Sequence, residues 1–250
     1  MKKALITGAS SGIGRAFAYK LADMGYDLIL TARREAPMVE IKNNIKTSAE
    51  IITGDISDKA FCISLAEKAK EVDVLINNAG FGVFGEAIES DLEKELDMID
   101  VNIKAVHILT KLFLKEFVKK DKGYILNVAS SASFFPGPLF SSYYASKIYV
   151  KRYSYGLCEE LRRNKSKVKI CCLCPGPVDT EFNDVANVKF AVGALTADYV
   201  AEKGLKGLFK GKKCVTPGLL IKCTRLLGKL LPDKLSAVFV YNIQQKKRKT

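Results

Sequence analysis

Two side chains that could share a proton stand four positions apart in the chain, Tyr143 and Lys147. They open a long amphipathic stretch that predicts a helix, so both should lie on one helical face. An ammonium group beside a phenol favours the phenolate, and we therefore expect Lys147 to lower the pKa of Tyr143. A tyrosine that exchanges its proton near neutral pH can act as a general acid or base. Ser130, thirteen residues upstream at the end of a predicted strand, could hydrogen-bond the same substrate oxygen.

A tyrosine four residues before a lysine also arises by chance, so the surrounding elements decide how the pair is interpreted. Short apolar runs alternate with helical patterns along most of the chain, which predicts parallel βαβ units and a doubly wound sheet. In such sheets ligands bind at the carboxyl ends of the strands. The predicted strands cover residues 3–7, 27–31, 50–53, 73–76, 123–128, 168–173 and 214–215.

A glycine-rich turn follows the first predicted strand and leads into the first predicted helix. Its spacing, Gly-x-x-x-Gly-x-Gly, allows a tight turn and lets backbone N–H groups approach a pyrophosphate. The N-terminus of the following helix adds a partial positive charge. We therefore predict a dinucleotide site here, with a plain glycine-rich turn as the alternative. The predicted cofactor residues of this turn are Gly8, Ser10, Ser11, Gly12, Ile13 and Gly14.

The end of the second predicted strand indicates which dinucleotide is bound. Ala32 and Arg33 stand where an acidic residue would bind the ribose hydroxyls. Because that carboxylate is missing and a guanidinium can pair with a 2′-phosphate, NADP(H) is predicted to be preferred over NAD(H). A solvated pair of arginines, Arg33 and Arg34, is the alternative. After the third strand, Asp55, beside Ile56, could accept a hydrogen bond from the adenine amino group or could cap a turn.

Further candidates lie between the later strands. Asn102 places an amide on the apolar face of a long helical region predicted over residues 91–119. A buried amide needs partners, and this one could hold a water that links Lys147 to solvent. The apolar loop 134–140 is predicted to form a wall of the substrate site, with plain packing as the alternative. Residues 180–195 are predicted to form a substrate lid.

The positive charge of the chain is concentrated at its C-terminal end. The net charge is +13, and residues 212–250 contain ten Lys or Arg against one acidic residue, Asp233. Residues 219–231 form a basic amphipathic segment and residues 246–249 are all basic, and such a segment can make peripheral contact with an anionic membrane. A packed terminal helix with a solvated tail is the alternative. Nucleic acid is not an expected partner, because basic and aromatic residues are not interleaved.

Composition excludes several classes of protein. A hydrophobic content of 48% with few glycines and prolines predicts a globular chain, and no apolar run is long enough to span a membrane. No signal peptide is recognised and the seven cysteines indicate free thiols, so a reducing cytoplasm is expected. No metal site is expected, because no second Cys/His pair stands at ligand spacing. The single histidine, His107, has no obvious carboxylate to orient it and is interpreted as structural.

Over residues 3–216 these motifs resemble the short-chain dehydrogenase/reductase family. The loop containing residues 136–138 is similar to that of a DltE-like bacterial branch, which fixes no substrate. The quoted motifs occur in the family's order and spacing: residues 7–14, Asp55, residues 77–80, Asn102, Ser130, Tyr143 with Lys147, and residues 175–180.

The resemblance implies a Rossmann-type, doubly wound, seven-stranded parallel sheet in three α/β/α layers. It implies one domain over residues 1–216, followed by a basic amphipathic extension, 217–250. It also implies a catalytic tetrad of Asn102, Ser130, Tyr143 and Lys147. Beyond the glycine-rich turn, the implied cofactor contacts are Asn78, Ala79, Gly80, Tyr143, Lys147, Pro175, Gly176, Val178 and Thr180.

The expected activity is NADP(H)-dependent interconversion of a small apolar carbonyl and its alcohol, in a homodimer or homotetramer. A non-catalytic NADP(H)-binding sensor or scaffold on the same fold is the alternative. Two features depart from the family pattern. Tyr144 offers a second phenol on the same helical face, although the spacing of Tyr143 from Ser130 and Lys147 matches the family. The basic tail exceeds the usual family end and puts a tetramer in doubt.

Overall fold

Seven parallel strands form one sheet in the order β3-β2-β1-β4-β5-β6-β7. The computed structural model describes residues 2–182 and 194–246. The sheet matches the predicted topology, with strand bounds that shift by a residue or so. The strands are β1 Lys3–Thr7, β2 Asp27–Ala32, β3 Ala49–Thr53, β4 Val74–Asn77, β5 Tyr124–Val128, β6 Lys169–Leu173 and β7 Cys214–Val215.

Helices cover both faces of the sheet and complete the three layers. On one face lie α1 Gly12–Asp23, α2 Ala36–Asn44 and α7 Ala197–Phe209. On the other face lie α3 Lys59–Lys68, α5 Val106–Lys119 and α6 Ser141–Arg163. Because the strands are buried on both sides, they are continuous apolar runs rather than alternating ones. In β1, for example, Leu5 and Ile6 are both fully buried, on opposite faces.

The long helical region predicted over residues 91–119 is confirmed, but it is not α-helical throughout. The structure divides it into α4 Leu92–Ile99, a π-helical segment Asp100–Ala105, and α5. A π-helical turn holds one more residue than an α-helical turn and interrupts the regular hydrogen-bond ladder, often at a functional site. Apolar periodicity cannot reveal such a turn, because the pattern on either side remains helical. Asn102 lies inside this segment.

The C-terminal part of the described chain forms two helices rather than one amphipathic segment and a tail. They are α8 Leu219–Leu230 and α9 Asp233–Gln245. Both are anchored to the main domain by a few buried side chains, among them Ile221 and Gln244. The basic amphipathic segment predicted at 219–231 corresponds to α8, whereas α9 was not predicted. Within the described residues, no helix has the length and hydrophobicity needed to cross a membrane.

Candidate active site

A cavity of about 540 Å³ opens at the carboxyl ends of the central strands. It extends from the glycine-rich turn after β1 to the start of α6, where Tyr143 lies. Of the predicted site residues, only Gly14 and Asn102 do not line it. The predicted residues that line the cavity are Gly8, Ser10, Ser11, Gly12, Ile13, Arg33, Asp55, Ile56, Asn78, Ala79, Gly80, Ser130, Tyr143, Lys147, Pro175, Gly176, Val178 and Thr180.

The glycine-rich turn is held against the end of β4 by close backbone packing. Gly8 has φ +64°, a conformation that favours glycine, and a Cβ there would lie 2.8 Å from the Cα of Ala79. A Cβ on Gly14 would lie 2.5 Å from Asn78 Nδ2, so Gly14 permits this packing instead of facing the cavity. Asn78 in turn donates from Nδ2 to the carbonyl oxygens of Thr7 and Gly8, at 3.0 and 3.2 Å. The turn is therefore shaped before any ligand binds.

The two arginines after β2 differ in their surroundings. Arg33 is largely exposed at the edge of the cavity, and its guanidinium lies 3.8 Å from a carboxylate oxygen of Asp55. Asp55 also accepts from the backbone N–H of Ser57 at 2.9 Å. Arg34 instead donates to Glu181 at 2.6 Å. The guanidinium of Arg33 is therefore the less constrained of the two.

Tyr143, Ser130 and Lys147 meet in the interior of the cavity. Tyr143 is buried and stacks on Phe140, with ring centroids 4.4 Å apart. Lys147 is also buried; its Nζ lies 5.7 Å from the centre of the Tyr143 ring and donates to the carbonyl oxygen of Val128 at 3.3 Å. Ser130 Oγ accepts from the backbone N–H of Ala132 at 3.1 Å and caps the short 3-10 segment that follows β5.

The predicted lowering of the pKa of Tyr143 is wrong. Burial raises the pKa of Tyr143, and its hydrogen bond with Ser130 offsets only part of this effect. Burial also lowers the pKa of Lys147 to about 8. The ammonium is directed at Val128 and desolvation dominates at both groups, so the phenol stays protonated near neutral pH.

Asn102 lies behind the wall of the cavity, where it joins three elements. Its Nδ2 donates to the carbonyl oxygen of Phe81 at 2.9 Å and to Ser146 Oγ at 3.1 Å, and its Oδ1 accepts from the backbone N–H of Phe81 at 3.1 Å. Gly80 lies between this amide and Lys147; a Cβ there would lie 2.7 Å from Asn102 Oδ1 and 3.0 Å from Lys147 Nζ. The amide therefore fixes the strand-end loop against α6.

Tyr144 and Gln244 form a second polar contact at the cavity. Gln244, in α9, donates from Nε2 to the Tyr144 hydroxyl at 2.7 Å, and burial raises the pKa of Tyr144 to about 12. Gln244 is only 1% exposed, and its Oε1 has no hydrogen-bond partner among the described residues. Sequence reasoning missed Gln244, because nothing in a basic, amphipathic C-terminal segment indicates which side chain folds back onto the site.

The phenylalanines of the apolar loop 134–140 have two different roles. Phe140 lines the cavity, as predicted for a wall, whereas Phe134 packs in the core against α8. Phe81 and Phe182 add further apolar surface to the cavity. Most of the predicted lid, residues 180–195, lies outside the described residues.

The remaining candidates for chemistry lie away from the cavity. His107 contacts the Tyr149 hydroxyl at 2.7 Å and stacks on Tyr153, so it is structural, as interpreted from the sequence. All seven cysteines are free thiols. No group of His, Cys, Asp or Glu suited to a metal ion occurs in the described part of the chain.

A family model described as short chain dehydrogenase matches residues 2–189. The chain belongs to this family. It is 35% identical over 187 residues to an uncharacterised oxidoreductase of Staphylococcus saprophyticus, a match that covers 72% of this chain and 79% of that protein. The family assignment predicted from the motifs is therefore confirmed, and the chain is an oxidoreductase acting on an alcohol or carbonyl with NAD(P).

Solved structures agree with this fold. A short-chain dehydrogenase from Sphingobium yanoikuyae in complex with NADPH superimposes with a TM-score of 0.83 at 27% identity, covering 92% of this chain and 93% of that one. A short-chain dehydrogenase/reductase from Burkholderia phymatum in complex with NAD gives 0.83 at 28% identity, covering 90% and 92%. Similar proteins therefore bind either dinucleotide, and likeness alone does not decide between them.

Proposed function

We propose that the protein is an NADP(H)-dependent carbonyl reductase that acts on a small apolar ketone or aldehyde, or catalyses the reverse oxidation. The observation that carries the proposal is the meeting of Tyr143, Ser130 and Lys147 in one cavity with the glycine-rich turn. Tyr144 is a weaker candidate for the proton donor, because its hydroxyl is engaged by Gln244.

Each polar group has a distinct task in this proposal. Ser130 positions and polarises the substrate oxygen through a hydrogen bond. Tyr143 donates its proton to that oxygen, and the raised pKa keeps the phenol protonated, which is the form that carbonyl reduction needs. Lys147 binds the nicotinamide ribose, and Asn102 positions the loop and helix around it. We also propose that Asn102 holds a water that relays protons between Lys147 and solvent.

The residues present fit a dinucleotide. A Cβ on Gly8 or Gly80 would collide with neighbouring protein atoms, so these glycines allow the close backbone packing that shapes this end of the cavity, and the N-terminus of α1 adjoins the same turn. The turn residues, Asn78 to Gly80 and Pro175 to Thr180 would hold the cofactor, and Asp55 with Ile56 would contact its adenine. When bound, the nicotinamide supplies or accepts the hydride.

Arg33 supports a preference for the phosphorylated dinucleotide. Its guanidinium is exposed at the cavity edge, is held only at 3.8 Å by Asp55, and could pair with a 2′-phosphate. The apolar substrate follows from the wall around Tyr143, where Phe81, Phe140 and Phe182 leave few polar groups to satisfy a charged ligand.

One assay tests both the activity and the cofactor. We expect NADPH to be consumed with at least one member of a panel of aliphatic, aromatic and steroid carbonyls, and NADH to be used less well.

Arg33→Asp should lower kcat/KM for NADPH by about 10–100-fold, since a charge-assisted contact is lost. Arg34→Asp is the matched control and should have a smaller effect, because Glu181 already binds that guanidinium. Tight NADPH binding without any turnover would favour a non-catalytic sensor, and an unchanged preference in Arg33→Asp would refute the phosphate contact.

The free thiols and the basic C-terminal segment support proposals about the cellular compartment and the membrane contact of the protein. The free cysteines support a reducing, cytoplasmic compartment. We further propose a homodimer or homotetramer and peripheral contact with anionic membrane through residues 219–231 and 246–249, of which 247–249 lie outside the described residues.

A further inference from the structure

A groove of about 560 Å³ lies between α7 and α8, and its lining residues are different from those of the dinucleotide cavity. Each helix presents a row of cations to it at spacings of three and four residues, so that each row lies on one helical face. The six cations that define this basic groove are Lys203, Lys206 and Lys210 from α7 and Lys222, Arg225 and Lys229 from α8.

The charge of the basic groove is poorly compensated by protein. Lys203 pairs with Glu202 at 3.2 Å, and Arg225 donates to the Tyr155 hydroxyl. The amines of the other four lysines have no carboxylate within 4 Å among residues 2–182 and 194–246. Like charges so close together repel one another, and an anion bound between them would relieve this repulsion. The groove-lining residues include no acidic side chain.

The basic groove borders an unusual apolar surface. On α8, Leu219 is 77% exposed and Leu230 is 71% exposed, and on α9, Phe239 is 61% exposed. Leu226 lies at the boundary, since it lines the basic groove and is itself largely exposed. Exposed apolar side chains beside a basic face are typical of helices that lie in a membrane interface.

We propose that the basic groove binds the phosphate headgroups of anionic lipids while the exposed leucines of α8 enter the bilayer interface. A second copy of the chain fits less well, because a symmetric contact would bring two basic grooves of a chain with net charge +13 together. This deepens the membrane contact proposed above and rests on it, and it adds the lysines of α7, which the C-terminal sequence pattern does not include.

The test compares charge reversal inside and outside the basic groove by co-sedimentation with vesicles of phosphatidylcholine, with or without phosphatidylglycerol. The full chain should bind vesicles that contain phosphatidylglycerol, and less so as salt rises. Lys206→Glu with Lys210→Glu should weaken binding by about 10–100-fold, at roughly 1 kcal/mol per lysine. The matched control reverses Lys111 and Lys115, two exposed lysines of α5 on the other face of the sheet, and should bind nearly as wild type.

Several outcomes would overturn the proposal, and they separate its parts. If the α7 double variant binds like wild type while Leu227→Ser with Leu230→Ser loses binding, the membrane contact stands and the groove assignment fails. If the wild-type protein binds neither kind of vesicle, the membrane contact and the groove assignment are both wrong. Binding of pyrophosphate or of a DNA duplex without any vesicle binding would assign the basic groove to a soluble phosphate or to nucleic acid instead. Because sedimentation does not require turnover, none of these results depends on the proposed reaction.

Discussion

At the scale of single residues, the protonation of Tyr143 and Lys147 is governed by burial. Sequence spacing predicted that the pair would share one face and one cavity, and it does. The direction that the sequence predicted for the pKa of Tyr143 was wrong, because desolvation depends on what packs around the helix. Phe140 stacks on the phenol, and Lys147 is almost fully buried. The spacing of Tyr143 and Lys147 in the sequence indicates neither the stacking of Phe140 nor the burial of Lys147.

The lowered pKa of Lys147 makes stability depend on pH. The folded pKa of about 8 lies below the unfolded value, so between about pH 8 and pH 10 the unfolded chain binds more protons and stability rises with pH. The Lys147→Met variant has no titrating amine at this position and therefore lacks this pH-dependent contribution to stability. We therefore expect the stability of Lys147→Met relative to wild type to fall, by on the order of 1–3 kcal/mol, as pH rises from about 7 to 10.

Urea denaturation at several pH values measures this difference. Lys111→Met, at an exposed position of α5, serves as the control and should show little pH-dependent difference from wild type. Parallel stability curves for Lys147→Met and wild type would mean that Lys147 is not desolvated in the folded protein.

At the scale of elements, the C-terminal helix α9 completes the wall of the cavity. Apolar runs were enough to locate the seven strands, since the central strands are buried on both faces and the runs end where turn residues begin. They were not enough to place α9, whose contact with the site depends on a long-range pair, Gln244 with Tyr144. Pairs separated by 100 residues leave no local signal in a single sequence.

Removing this pair should loosen α9. Gln244→Ala loses the hydrogen bond to Tyr144, so we expect a loss of about 1 kcal/mol in the free energy of unfolding. We also expect faster amide hydrogen exchange in residues 233–245 and a higher KM for an apolar ketone. Gln245→Ala is a close control, because the Gln245 side chain donates to Tyr241 of the same helix. Equal exchange in both variants would show that Gln244 does not anchor α9.

At the scale of the whole molecule, two sites lie at different places on one domain. The cavity at the carboxyl ends of the strands contains the groups for reduction, and the basic groove lies between α7 and α8. The C-terminal helices link them, since Gln244 of α9 faces the cavity and Lys222 and Lys229 of α8 face the basic groove. In the proposed membrane-bound state, an apolar substrate that partitions into the bilayer would meet an enzyme attached to the same membrane.

The central claim is that Tyr143 is the proton donor, and two isosteric variants test it directly. With NADPH and the best carbonyl of the panel, Tyr143→Phe should lower kcat by about 10²–10⁴-fold while NADPH still binds. Tyr144→Phe should retain most of kcat, because its hydroxyl bonds Gln244 rather than Ser130. The account is contradicted if Tyr143→Phe turns over at nearly the wild-type rate and Tyr144→Phe does not.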